Sequence, residues 1–224
     1  MQIVVAGVDA LGAEIAVEFE RLVQADTLSC ALTGGPAGMI VLGALRSARP
    51  DWTRVSLYWA EERAVPPEHP GSSFGLAYRM LLAPLDRPGP RVFPMPAAQP
   101  DLERAAEDYD GLLEHELGGG PLDLAILGVG EDGHVAGLFP RHPALAATTR
   151  VVAVSDAPRP PVRRLTLSLA YLAGSARLWF VAVGERKRSL VQAAVRRAGG
   201  DTPFERLVRE AADVTIFTDQ SVRR

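Results

Sequence analysis

Three titratable side chains, Glu131, Asp132 and His134, fall close together in a segment punctuated by glycines at 128, 130 and 133. An imidazole titrates near ~6.5, so at neutral pH it can take a proton from water or a hydroxyl group as a general base. A carboxylate two residues away can orient such a ring, although residues at that spacing in a loop need not touch. Glycines permit positive φ and let a ligand approach the backbone closely. A segment that only reversed the chain would manage with Asp132-Gly133 and would have no use for the histidine. The chemistry this pattern suggests is activation of water at a loop, with Glu131, Asp132 and His134 as the candidate groups. His69, His115 and His142 lack comparable settings.

Gly128-Val129-Gly130-Glu131-Asp132-Gly133 also fits the dinucleotide fingerprint G-x-G-x-x-G, with Asp156 downstream as the acidic residue. That fingerprint needs its third glycine to open a full helix. Pro140 and Pro143 interrupt the chain soon after Gly133, and an interior proline costs a helix ~3 kcal/mol. A nicotinamide-dependent dehydrogenase is therefore a minor alternative.

A reacting loop needs elements to hold it. Apolar runs read as strands at 3–6, 27–32, 55–59, 124–127, 150–154, 178–183 and 213–218, and 163–169 alternates in strand fashion. Helical patterns lie between them. Leu11, Ile15, Phe19 and Leu22 form one stripe, with Asp9 as a plausible N-cap. Further helices are expected over 37–48, 74–82 and 184–197. A clear one starts at Pro100, with a stripe of Leu102, Ala106, Tyr109, Leu113 and Leu117. The proline-rich stretch 83–100 reads as ordered coil with a short strand at 91–93. This alternation predicts an α/β fold: one domain over 1–224, a mostly parallel Rossmann-like sheet with helices on both faces. Ligands of such sheets bind beyond the carboxyl ends of the strands. Thr33-Gly34-Gly35, Glu61-Glu62-Arg63, 128–134 and 184–187 all follow strands, so four loops converge on one edge. Arg164 precedes its strand, and periodicity alone does not place it there.

Each loop has a functional and a plain reading. Thr33-Gly34-Gly35 before a helix exposes N–H groups at a positive dipole end, suited to an anion, or makes a tight turn. Arg63 can fork onto a carboxylate, a phosphate or a developing oxyanion, or form an ordinary surface pair with Glu61. Lys187, in the first turn of a helix, opposes the dipole unless an anion is bound.

The run 128–140 resembles the signature of the 6-phosphogluconolactonases, G-x-G-x-D-G-H-x-A-S-L-F-P, with Val135 and Gly137 where Thr and Ser are more usual. His142-Pro143-Ala144-Leu145 continues the likeness. Glu61-Glu62-Arg63-Ala64-Val65-Pro66 resembles that family's D-E-R-x-V-P, with Glu61 in place of Asp, and Ser72-Ser73 stands where S-N is frequent. Arg164-Leu165-Thr166-Leu167 resembles R-I-T-L, and 184–187 resembles G-x-x-K. Thr33, Gly34 and Gly35 match S-G-G-S-T-P, but Pro36-Ala37-Gly38 replaces its second half, removing two hydroxyls and one N–H. The resemblance implies His134 as general base, oriented by Asp132, with Glu61 and Arg63 in the catalytic set. It implies that Arg164 and Lys187 bind a phosphate, with Thr33, Gly34, Gly35 and Gly130 as further binding positions. The related glucosamine-6-phosphate deaminases and isomerases place a Glu where this chain has Phe139, and a Tyr where it has Arg63. A phosphosugar deaminase or isomerase, and a non-catalytic phosphosugar-binding regulator, remain the alternatives to lactone hydrolysis.

Composition agrees with a small-molecule enzyme. A net charge of −3 provides no basic field for nucleic acid or an anionic membrane. The single cysteine, Cys30, lies in an apolar run and reads as a buried, inert thiol in a reducing cytoplasm. There is no signal-peptide pattern and no long uncharged apolar stretch. No cofactor is expected, and no metal, since a second His or Cys at ligand spacing is missing. The expected partner is a phosphorylated sugar lactone, bound by a monomer or weak homodimer.

Overall fold

The computed structural model describes residues 1–85, 88–196 and 199–222. Its core is a seven-stranded sheet in which every pairing is parallel. The strands are β1 (Gln2–Val5), β2 (Leu28–Leu32), β3 (Val55–Trp59), a two-residue β5 (Arg91–Val92), β6 (Leu124–Gly128), β9 (Leu178–Ala182) and β10 (Val214–Thr218), in the order β1-β10-β9-β6-β2-β3-β5. The central strands β2 and β9 are buried at every residue, which is why they read as continuous apolar runs and not as alternation.

From β2 the chain moves toward β5, then turns back through β6, β9 and β10. With right-handed crossovers, this puts α1 (Val8–Ala25), α2 (Gly35–Ser47) and α3 (Ser73–Ala77) on one face of the sheet. The other face takes α4 (Leu102–Leu117), α5 (Leu169–Ala173), α6 (Arg188–Val195) and α7 (Pro203–Glu210). Contacts of α1 with α2, and of α5 and α6 with α7, agree with that division. The outgoing connections of the neighbours β2 and β6 therefore leave on opposite faces. That reversal opens a crevice at their carboxyl ends.

A second sheet corrects the expectation of a simple loop after β3. Glu61–Arg63 forms a strand, β4, that leaves the main sheet at Ala60 and pairs antiparallel with β8 (Arg164–Leu167), which in turn pairs with β7 (Val151–Val154). All four residues of β8 are buried, so the alternation expected over 163–169 has no exposed face to match.

Several element ends also move. Gly7, not Asp9, is the N-cap of α1, and Asp9 lies inside the first turn. Asp101 caps α4, with Pro100 just outside the helix. Glu185–Lys187 is a 3₁₀ turn leading into α6, which ends at Val195; the expected end near Arg197 lies outside the described residues. Two helices carried no expectation. The five-residue α5 is too short for periodicity to reveal. α7 does have a signal, because Thr202 and Glu205 form a capping box around Pro203, followed by buried Phe204, Leu207 and Val208. No described helix is long and apolar enough to cross a membrane.

Candidate active site

A cleft of about 310 Å³ opens where β2 and β6 end, and all four converging segments reach it. Thr33, Gly34 and Gly35 come from the β2–α2 turn and Glu61 and Arg63 from β4. The segment 128–134 comes from the end of β6, and Lys187 from the turn after β9. Arg164, whose place periodicity left undecided, lines the cleft from β8. Arg159, unnoticed in the sequence, lines it from the segment between β7 and β8.

The loop after β6 folds back on itself. The Gly130 N–H donates to the His134 carbonyl at 2.9 Å, and the Gly133 N–H to the Gly130 carbonyl at 3.0 Å. No helix follows Gly133. Instead Val135 bridges to Val129 and to Leu138, with Ala136 at positive φ, so the geometry a dinucleotide fingerprint requires is not present. Gly130 is needed because a Cβ there would lie 2.0 Å from His134 Nδ1. Gly133 has φ of +81°, and a Cβ on it would meet the Thr202 side chain at 2.6 Å. Its carbonyl accepts the Phe204 N–H from the first turn of α7 at 3.1 Å. The helix that the sequence did not reveal thus buttresses the loop that carries the imidazole.

The doubt over Asp132 is resolved by contact. Asp132 Oδ1 lies 2.5 Å from His134 Nδ1 and also accepts the His134 backbone N–H at 3.2 Å. With a carboxylate on Nδ1, the neutral ring keeps its proton there and presents an unprotonated Nε2. Burial acts to raise the Asp132 carboxyl, but hydrogen bonds from His134, its charge and that of Arg159 prevail and hold it below the usual range. Phe139 packs its ring 4.8 Å from the imidazole, with the Arg164 guanidinium 5.3 Å above the same ring.

Arg164 is buried and pairs through Nη1 with Glu61 Oε2 at 3.1 Å. Its Nε donates to the Pro161 carbonyl and its Nη2 to the Arg159 carbonyl. Glu61 also stands 4.0 Å from Arg63, whose Nη1 donates to the Gly71 carbonyl at 2.6 Å. Glu61 therefore joins two guanidinium groups and fixes the wall. Replacing it by alanine is expected to leave the Arg164 charge buried without a carboxylate and to cost about 3 kcal/mol of stability. A urea midpoint unchanged from wild type would contradict this. Glu62, between them, turns away from the cleft and caps α3, accepting N–H groups of Ser73 and Phe74 and the Ser72 hydroxyl. Burial pushes its carboxyl up in spite of those bonds.

At the third side α2 opens on Gly34 with no side-chain cap, and Pro36 lies in its first turn. The first amides of a helix have no intrahelical acceptor, so those of Gly35 and Ala37 remain suited to an anion. Thr33 lines the cleft, and its Oγ1 accepts the Gly128 N–H at 3.2 Å, tying β2 to β6. Lys187 is half-buried; desolvation lowers its pKa, and the charges of Glu131 and Asp219 only partly restore it. A bound anion would complete that compensation.

The family of glucosamine-6-phosphate isomerases and 6-phosphogluconolactonase matches residues 5–217. This chain belongs to that family. It is 36% identical over 207 residues to the 6-phosphogluconolactonase of Mycobacterium tuberculosis, covering 88% of this chain and 80% of that one. To the 6-phosphogluconolactonase of Rattus norvegicus it is 35% identical over 193 residues, 84% of this chain and 73% of the other. The crystal structure of the Thermotoga maritima 6-phosphogluconolactonase superposes with a TM-score of 0.83 at 26% identity, covering 96% and 97% of the two chains. Phe139 stands at the position where the deaminase or isomerase alternative calls for a carboxylate. In this fold the position is filled by a buried ring against the imidazole, with no group able to exchange a proton.

Proposed function

We propose that this protein hydrolyses 6-phospho-D-glucono-1,5-lactone to 6-phospho-D-gluconate, with His134 as general base. The observation that carries the mechanism is the Asp132–His134 contact at the mouth of a cleft lined by four cations. Nε2 of His134 takes a proton from water as its oxygen attacks C1. The tetrahedral oxyanion is stabilised by the charge of Arg63 and by loop N–H groups. Its collapse breaks the bond between C1 and the ring oxygen, and the imidazolium returns the proton to that oxygen, leaving a hydroxyl and a carboxylic acid that loses its proton to solvent. Asp132 holds the ring and balances the imidazolium. Neither a covalent nucleophile nor a metal is required by this route, and the lactone's own reactivity keeps the demand modest. The substrate phosphate is held by Lys187 and by the first amides of α2 at Gly35 and Ala37, with Arg164 adding charge from the wall.

The deaminase or isomerase alternative lacks its carboxylate at Phe139, where a buried ring packs on the imidazole. A phosphorylated substrate and the buried, free Cys30 support action in the cytoplasm. The test is lactone consumption by the purified protein with spontaneous decay subtracted; a rate no higher than background overturns the proposal. Lys187→Met is expected to raise KM about tenfold while changing kcat little, because a phosphate remote from C1 is bound alike in ground and transition states. Steady-state kinetics against lactone concentration measure both, and an unaltered KM would remove Lys187 from the phosphate site.

A further inference from the structure

The four cations of the cleft differ in how far the protein already occupies them. Arg164 spends Nε, Nη1 and Nη2 on Pro161, Glu61 and Arg159. Arg63 is tied to Gly71 and drawn to Glu61. Lys187 has no side-chain ion pair among the described residues, although the charges of Glu131 and Asp219 act on it, and the proposed function gives it to the phosphate. Of the three guanidinium groups, Arg159 is the least engaged. Its side chain is half-exposed, and among the described residues its one ion pair is a long contact, Nη2 to Asp132 Oδ2 at 3.4 Å. A guanidinium has five N–H donors, so most of those on Arg159 remain uncommitted.

The backbone of Arg159 is anchored, though the side chain is not. Pro158, Pro160 and Pro161 surround it and restrict φ, and its carbonyl accepts the buried Arg164 Nη2 at 2.8 Å. A long, exposed cation is thus mounted on a fixed point of the cleft wall. It rests on the oxygen of Asp132 that His134 leaves vacant, Oδ1 being engaged by Nδ1. A half-exposed pair at that distance is weak and is readily exchanged for a bidentate contact with an incoming carboxylate or polarised carbonyl.

We propose that Arg159 binds the oxygens on C1 of the substrate, first the lactone carbonyl and then the product carboxylate, and leaves the phosphate to the Lys187 side. The assignment rests on the proposed function, in which His134, lining the same cleft as Arg159, acts at C1. The ligands that separate the two ends are 6-phosphogluconate and glucitol 6-phosphate, which share the phosphate and differ in having a carboxylate or a hydroxymethyl group at C1. Calorimetric titration of wild type, Arg159→Gln and Arg159→Lys with each gives the result. The glutamine variant is expected to weaken 6-phosphogluconate about tenfold, one charge-assisted hydrogen bond, and to leave glucitol 6-phosphate unchanged. The lysine variant should recover part of the loss. Equal weakening of both ligands would assign Arg159 to the phosphate and overturn the proposal, as would no change in either. Binding of neither ligand by wild type would overturn the phosphosugar reading, and this assignment with it.

Discussion

Replacement of His134 by alanine is expected to lower kcat for lactone hydrolysis by about 10²–10⁴-fold, the range that general-base assistance supplies. The reason lies in what surrounds the ring. Asp132 occupies Nδ1, Gly130 leaves room for the imidazole, and Phe139 supports its face. No other histidine reaches the cleft: His142 bonds Asp156, and His69 accepts the Gly71 N–H. The variant should fold, because the loop is held by backbone bonds among Gly130, Gly133 and His134 and by Phe204, none of which needs the imidazole. KM should change little if the base acts on water and not on the phosphate. The measurement is the rate above spontaneous decay. Full activity in the alanine variant would show that water is activated elsewhere.

Asp132→Asn is the second large effect, expected to reduce kcat by about 10²-fold. The carboxylate does two things that an amide cannot. It selects the tautomer with its proton on Nδ1, whereas an asparagine can turn its NH₂ toward Nδ1 and leave the proton on Nε2, where it blocks the base. It also carries the negative charge that balances the imidazolium. Asp132 lies below the ordinary carboxylate range, so it remains ionised through the neutral region and its own titration does not limit activity there. Without that charge the imidazolium formed in the step is less stabilised, and the plateau of kcat/KM should fall with kcat. A plateau of unchanged height would mean that the short Asp132–His134 contact serves the loop and not the chemistry.

The fate of particular residues shows how far the chain could be read in one dimension. The order of strands and helices was legible because a parallel sheet buried on both faces demands uninterrupted apolar runs, as in β2 and β9, and covering helices demand stripes, as in α1 and α4. His134 was legible because its glycines and neighbouring acids are local. Thr33 shows a limit of that kind of evidence. Its place at the cleft follows from the local turn, whereas the bond from the Gly128 N–H to its hydroxyl, which ties β2 to β6, does not.

What the sequence by itself determined, then, was the alternating α/β pattern, the glycine-rich loop that carries His134 and the edge of the sheet on which the loops gather. Only the tertiary structure decided that Glu61 pairs with Arg164, that β4 leaves the main sheet to join β8, that α7 supports Gly133, and that Arg159 stands beside Asp132. The division has a physical cause. Hydrophobic period and backbone preference act over a few residues and are written locally, whereas an ion pair or a loop support joins groups far apart in the chain and exists only once the sheet has brought them together.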